Sequence, residues 1–293
     1  MIDISVITVG YNTADLIDEC ITSIKRETSC AYEIIIIDND SSDGTVEMLK
    51  EKHPDVICIA NNVNVGFGSA CNQGLEIAKG RFPVLLNPDT VVLDGALDKM
   101  LEFMEQRPDA GFCAPANVGP DMHLQRTCHH FPTLMGRLVE YAQLRRLLPT
   151  VKMFGKANMT YWDYNDIRAV DWASGSCLMI NRKMIDGVGV FDPEYFLYVE
   201  EVDWCLRASK KGWPTMFYPD AKILHHSGAS AEKAVSQEEL SSKSISHLLF
   251  RSQYYYFKKH KGFLYSWAVR CMDFFYALLL YTKNLVWAGK NPR

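Results

Sequence analysis

The stretch ISVITVGYNTADLIDECITSIKRETSCAYEIIIIDNDSSDGT, residues 4–45, decides how the rest of the chain is read. An apolar run, Ile4–Val9, gives way to the amphipathic segment Ala14–Glu27, and a second run, Glu33–Asp38, follows. Residues 34–37 are consecutive isoleucines. A strand with no polar alternation is one covered on both faces, as parallel strands joined by helices are. The segment therefore predicts a β-α-β unit ending in a polar loop.

The alternation continues outward through Thr45–Lys52, Val56–Ala60, Ser69–Lys79, Phe82–Leu86 and Asp94–Gln106. Strand and helix in turn predict an α/β fold with a mostly parallel central sheet flanked by helices. Ligands of such sheets bind where loops leave the carboxyl ends of the strands. The loops in question are Gly10–Thr13, Asp38–Gly44, Asn61–Gly68 and Asn87–Thr90. Each alone is ordinary turn chemistry, but four polar loops on one edge predict a site.

Farther along, Ala116–Asp171 reads as an excursion over the sheet, with Cys128-His129-His130, a Leu/Arg-rich helical stretch at 134–148 and an aromatic polar loop at Tyr161–Asn165. Order returns with a strand-like Ser176–Asn181, a short helix near Lys183, the loop VGVFDPEYF and a helix from about Val199. The expected organisation is one domain over residues 1–240, in two parts at about 1–115 and about 116–240. A helical extension over 241–293 follows.

With 48% hydrophobic and 23% charged residues in 293, the chain has a core's worth of apolar material, which excludes low-complexity and disordered classes. Its net charge of −4 gives no reason to expect nucleic acid as a partner. Nine cysteines, an odd number with no CxxC pair, argue against a disulfide framework or zinc knuckle. The opening MIDISVITV has no basic leader, so a cytoplasmic protein is expected.

The charge is uneven. Residues 243–293 carry nine Lys/Arg against the single acid Asp273, together with 13 of the 34 aromatic residues. Basic flanks and aromatic faces predict helices lying in an anionic membrane interface. Packing on the catalytic domain and a homodimer contact are the alternatives. The longest uncharged run, Phe274–Thr282, is far short of the ~20 apolar residues that span a bilayer, so no crossing is expected.

Three strings carry chemistry. No Walker A sequence occurs, and GFGSAC at 66–71 is a poor GxGxxG. NPDT at 87–90 ends a buried strand and puts the Asp89 carboxylate at the sheet edge, where oxygen donors suit Mg2+ or Mn2+. ILHHSGAS supplies imidazoles, His225 or His226, as a second donor type. YVEEVDWCLR at 198–207 places Glu200, Glu201 and Asp203 within one helical turn among apolar neighbours, where crowding raises a carboxyl pKa toward that of a general base.

In this order TVGYN (8–12), IIDNDSSDGT (36–45), NNVNVGFGSACNQG (61–74), NPDT (87–90), WASGSCLMINR (172–182), GVFDPEYFLYVEEVDWCLR (189–207), GW (212–213) and HHSGAS (225–230) resemble the family 2 glycosyltransferases. Within that family the pattern is most similar to rhamnosyltransferase-like enzymes of bacterial surface polysaccharide assembly. The resemblance implies the GT-A nucleotide-diphospho-sugar transferase fold. It implies that Asp38 reads the nucleotide base, with Tyr11, Asn12, Asn39, Asn64, Gly66, Asn87 and Asp89 on the donor side. Asp89 becomes the metal-binding acid of a DxD-like motif and His225 the second ligand of Mn2+ or Mg2+, while Asn87 replaces the motif's first Asp. The family's E-D-x-D appears as Glu200-Glu201-Val202-Asp203, with Glu201 as the base. Trp172, Ser174 and Gly175 line the acceptor side.

The reaction so implied is inverting transfer of a sugar from a nucleotide-diphosphate donor, dTDP-rhamnose or else a UDP-hexose, to a saccharide or lipid-linked saccharide. It implies a peripheral enzyme on the cytoplasmic face of the inner membrane, in contact with it through residues 245–293. A nucleotidyltransferase or a non-catalytic sugar-binding protein would use part of the same pattern.

Overall fold

The computed structural model describes residues 1–143, 159–226 and 242–290. Its first part follows the predicted order: β1 (Ile4–Gly10), α1 (Ala14–Glu27), β2 (Tyr32–Asp38), α2 (Thr45–Lys52), β3 (Ile57–Ala60), α3 (Phe67–Ile77), β4 (Phe82–Leu86). Then come β5 (Thr90–Leu93), α4 (Ala96–Gln106), β6 (Phe112–Val118), β7 (Leu124–Gln125), β8 (Cys128–His129) and α5 (Leu134–Tyr141). After them lie β9 (Arg168–Val170), β10 (Trp172–Ala173), β11 (Cys177–Ile180), α6 (Arg182–Val188), α7 (Glu200–Lys210) and β12 (Thr215–His225). Two helices close the chain, α8 (Ser242–Lys261) and α9 (Phe263–Lys290). The end of the helical stretch predicted at 134–148, residues 227–230 of HHSGAS and the boundary at 240/241 lie outside the described residues.

The sheet runs β3-β2-β1-β4-β11-β6-β12-β5. Strands β3, β2, β1 and β4 are parallel, β11 is antiparallel to both β4 and β6, and β12 is parallel to β6. Both faces are covered, as the isoleucine run requires. Ile34 and Ile36 pack with Ile17, Ile21 and Ile24 of α1, while Ile35 and Ile37 pack with Ala70, Cys71 and Leu75 of α3. Successive side chains of a strand point to opposite faces, so one strand feeds two cores.

Residues 116–171 are not all an excursion. β6 continues to Val118 and is buried along its whole length in the middle of the sheet. Proline at 115 does not end it: the pairing with β11 covers only Phe112 and Cys113, and the register with β12 shifts just after the Tyr218–Pro115 pair.

The extension divides into two. α8 buries Tyr256 and Phe257 against Tyr195, Val199 and Val202. Lys259 and His260, half of the basic flank Lys258–Lys261, turn inward onto Asp192 and Asp203 rather than toward a membrane. In α9 the span Phe263–Asn284 is long and apolar enough to cross a bilayer by length and composition. The span is longer than the uncharged run Phe274–Thr282, since a continuous helix carries Arg270 and Asp273 without interruption. Asp273 is buried and ion-paired with Arg137 of α5 at 2.7 Å, with Tyr141 and Tyr254 donating hydrogen bonds to it. One face of α9 is thereby docked on the protein.

Candidate active site

Register builds the site at one sheet edge. Gly10 pairs with Asp38, and Asp38 with Ala60, so the loops after β1, β2 and β3 leave at one level. Leu86 of β4 pairs with Cys177 of β11, and the Asn87 N–H donates to the Ser176 carbonyl at 2.9 Å. Antiparallel β11 thus brings the Ser174-Gly175 turn beside NPDT.

Asp38 is buried at the end of β2. Its Oδ2 accepts the Ser41 N–H at 3.2 Å, and Oδ1 has no hydrogen-bond partner among the described residues. Burial raises its carboxyl above the usual range, and the Ser41 hydrogen bonds oppose the shift. An unsatisfied buried acceptor is expensive unless a ligand completes it. Asn12, in the left-handed region at φ 54°, accepts the Ser42 N–H, and its own N–H donates to Ser41 Oγ. Tyr11 stands beside it, half-buried.

The β3–α3 loop is held by amides. Asn39 donates to Asn64 at 2.8 Å and accepts from Val65 N–H and Asn61, which in turn pairs with Gln73. Asn64 also accepts the Gly66 N–H. Gly66 sits at φ +85°, and a Cβ there would lie 2.6 Å from the Phe196 carbonyl oxygen, which accepts the Phe67 N–H. Gly66→Ala is expected to cost about 1–3 kcal/mol of stability and to raise KM for a nucleotide ligand. Urea unfolding and a nucleotide titration of the variant check both, and an unchanged titration would remove this loop from the donor side.

Asp89 is 3% exposed. Pairing of Thr90 in β5 with His225 in β12 sets His225 Nε2 at 3.5 Å from Asp89 Oδ1, and the Asp89 carbonyl accepts the His226 N–H. The carbonyl of His225 accepts from Gln125. His226 instead approaches Glu19 at 3.8 Å. Among the described residues no three His, Cys, Asp or Glu side chains are gathered to hold a metal by themselves. The Asn87 carbonyl accepts from Thr90 Oγ1.

The three acids of α7 part company. Asp203, wholly buried, is bound by Arg207 at 2.7 Å, Lys259 at 2.7 Å and His260 at 2.6 Å. Burial pushes its carboxyl up, but the hydrogen bonds from His260, Lys259 and Arg207 win and hold it far below the usual range. Such a group stays ionised. Glu200, 5% exposed, and half-buried Glu201 each keep one buried oxygen without a hydrogen-bond partner among the described residues. Burial raises both carboxyls, Glu200 well above the usual range with help from its neighbour's charge, and Glu201 to about 7.

The approach to this helix is strained. Tyr198 and Val199 have φ of 67° and 73°, and a β-branched residue in the left-handed region costs of order 1–3 kcal/mol. On the other side, the Trp172 ring is stacked on His129 at 4.3 Å and its indole N–H donates to the His130 carbonyl. One face of Trp172 is therefore already covered. Ser174 Oγ accepts the Ser176 N–H, and a side chain at Gly175 would meet nothing within 4 Å.

Sequence reading missed Asn61 and Gln73 of the amide cluster, and Ser252, Lys259 and His260 of α8. The first two stand in an Asn-rich string that could have suggested them. Nothing in local spacing ties α8 to α7.

The fold is GT-A, the nucleotide-diphospho-sugar transferase class. A crystal structure of GalNAc-T7 with UDP, GalNAc and Mn2+ aligns at TM-score 0.57 and 16% identity, covering 77% of this chain and 44% of that one. A crystal structure of S. aureus TarS 1-349 aligns at 0.54 and 15%, covering 89% and 73%. Within that class, residues 5–189 match the sequence model of glycosyl transferase family 2, and the chain belongs to this family. The match stops before Glu200.

N-acetylglucosaminyl-diphospho-decaprenol L-rhamnosyltransferase of Mycobacterium tuberculosis is 28% identical over 236 residues, 77% of this chain and 76% of the relative. UDP-Glc:alpha-D-GlcNAc-diphosphoundecaprenol beta-1,3-glucosyltransferase WfaP of Escherichia coli is 36% identical over 103 residues, 35% of this chain and 41% of the relative.

Proposed function

We propose that the protein is an inverting glycosyltransferase that moves a sugar from a nucleoside diphosphate donor, dTDP-rhamnose first and a UDP-hexose second, to a lipid-linked saccharide. The observations that support this are the Asp89–His225 pair in the loop after β4 and, at the start of α7, an incompletely bonded acid pair, Glu200 and Glu201, the first of which lies beside Gly68 of α3. The mycobacterial and E. coli relatives, named for acceptors joined through a diphosphate to a polyprenol, support the acceptor class.

In this reading Asp38 and the amide cluster hold the nucleoside and Ser174-Gly175 admits the acceptor. Glu201 takes the acceptor hydroxyl proton as that oxygen bonds to the anomeric carbon and the nucleoside diphosphate leaves from the opposite side. Asp203, already bound by Arg207, Lys259 and His260, positions α7 and takes no proton. The Asp89 carboxylate and His225 imidazole fit a Mg2+ or Mn2+ that takes its remaining ligands from a diphosphate. When bound, that ion supplies positive charge against the leaving group.

A panel of dTDP- and UDP-sugars, scored by thermal stabilisation and donor turnover with Mn2+ or Mg2+, tests the reading. Stabilisation by one nucleotide sugar with release of its diphosphate is expected. Pyrophosphate release from a nucleoside triphosphate would replace transfer by nucleotidyl chemistry.

The membrane contact belongs to α9. Leu264 is 79% exposed and Trp267 59%, and Phe274, Phe275 and Leu279 are exposed with them. A continuous apolar face of this kind fits a peripheral helix in the plane of a cytoplasmic membrane surface. Binding to vesicles containing anionic phospholipid is expected to fall at least tenfold in Trp267→Glu/Phe274→Glu, since each charge opposes burial by a kcal/mol or more. A stable dimer that ignores vesicles would assign the face to a second copy.

A further inference from the structure

We propose that α8 completes the catalytic apparatus, with Ser252 and Lys259 as positioning residues that hold the turn before α7 and so aim Glu201. The proposal rests on Glu201 being the base. Three observations carry it. The Ser252 hydroxyl, buried inside the protein, donates to the Leu197 carbonyl at 2.9 Å. The adjacent Phe196 carbonyl accepts the Phe67 N–H at the start of α3 at 2.8 Å. Two successive carbonyls are thus gripped by different parts of the chain, one from the start of α3 and one from α8.

The next two residues, Tyr198 and Val199, are those in the left-handed region. A β-branched residue stays there only where its surroundings over-determine it. Val199 meets that condition by packing with Tyr256 and Phe257 of α8.

Lys259 pins the far side of the same turn of helix. Its ammonium bridges Asp203 and Asp192, each at 2.7 Å, and the Tyr255 hydroxyl donates to Asp192 at 3.1 Å. Asp192 opens the loop that leads to Phe196, and Asp203 lies in the first turn of α7. Both ends of the segment carrying Glu200 and Glu201 are therefore clamped by α8. Glu200 Oε2 and Glu201 Oε2 have no hydrogen-bond partner among the described residues.

The test compares the full-length wild type with Ser252→Ala, Lys259→Met and the double variant, with Ser252→Thr and Lys259→Arg as conservative rescues. Backbone hydrogen exchange of residues 196–203 is expected to quicken about tenfold in each single variant, the size of one lost hydrogen bond. The amides of 61–66 and the stabilisation by dTDP or UDP with Mn2+ should stay as in wild type. With the nucleotide sugar that wild type turns over, kcat should fall tenfold or more at an unchanged donor KM, and the Thr and Arg variants should recover it.

Wild-type exchange at 196–203 in the double variant would overturn the proposal, as would a donor KM that rises in step with any loss of kcat. A wild type that transfers no sugar would sink the proposed function instead, and the exchange comparison would still decide whether α8 holds the turn.

Discussion

Glu201→Gln is expected to lower kcat by roughly 10^2–10^4-fold, the range of a lost general base, while leaving stabilisation by the nucleotide donor unchanged. Glutamine keeps the size and the hydrogen-bonding shape of the side chain but cannot accept the acceptor proton. The pH profile gives the sharper readout. Because burial raises the Glu201 carboxyl to about 7, the base is largely protonated below that pH, and kcat/KM should climb as pH rises through it. The variant's residual rate should lack this limb.

Stability moves the other way. A carboxyl raised from 4.5 toward 7 on folding binds its proton more tightly in the native state. The stabilisation it brings is full below the unfolded value and is lost as pH rises through about 7. Urea midpoints of the wild type should therefore fall between pH 5 and pH 8, and those of Glu201→Gln should fall less. Wild-type turnover in the variant, with the limb intact, would pass the role of base to Glu200.

Asp89→Ala is expected to abolish metal-dependent stabilisation by the nucleotide donor and to cut kcat/KM by roughly 10^2–10^3-fold, which corresponds to several kcal/mol of charge stabilisation. The physical reason is position. Asp89 is the carboxylate facing His225 at the end of a buried strand, and an alanine there leaves an imidazole alone against a diphosphate. His225→Ala should show a weaker form of the same loss, because the carboxylate charge remains. Donor stabilisation that ignores both substitutions and the presence of Mn2+ would remove the metal from the reading and leave the nucleotide site standing on Asp38 and the amide cluster.

Much of the structure of residues 1–115 is legible in the sequence. Its helices and strands announce themselves through local periodicity, and the four loops fall at one edge because each parallel strand must end there. β5, β6 and β12 were not read, although Thr90-Val91-Val92 is β-branched and Phe112–Val118 is largely apolar. At four residues β5 is too short to declare a period, and β6 is interrupted by Pro115 and Asn117, residues that favour turns. β12 is also broken by Pro219, where its pairing with β6 shifts register.

The acids of α7 show the division most clearly. Local spacing put Glu200, Glu201 and Asp203 on one helical turn among apolar neighbours that raise a carboxyl pKa. Which acid is sequestered as a structural anion was decided by Lys259 and His260, the latter 57 positions further along. Sequence alone determined the α/β alternation, the polar carboxyl edge and the presence of carboxylates and imidazoles suited to phosphate and proton chemistry, because these follow from side-chain period and residue type. Only the tertiary structure decided that His225 faces Asp89, that Asp203 is taken by α8, and that the turn before Glu200 is held in a left-handed conformation. Each of these depends on contacts between distant segments, and packing energy selects such contacts only when the whole sheet and its covering helices are assembled.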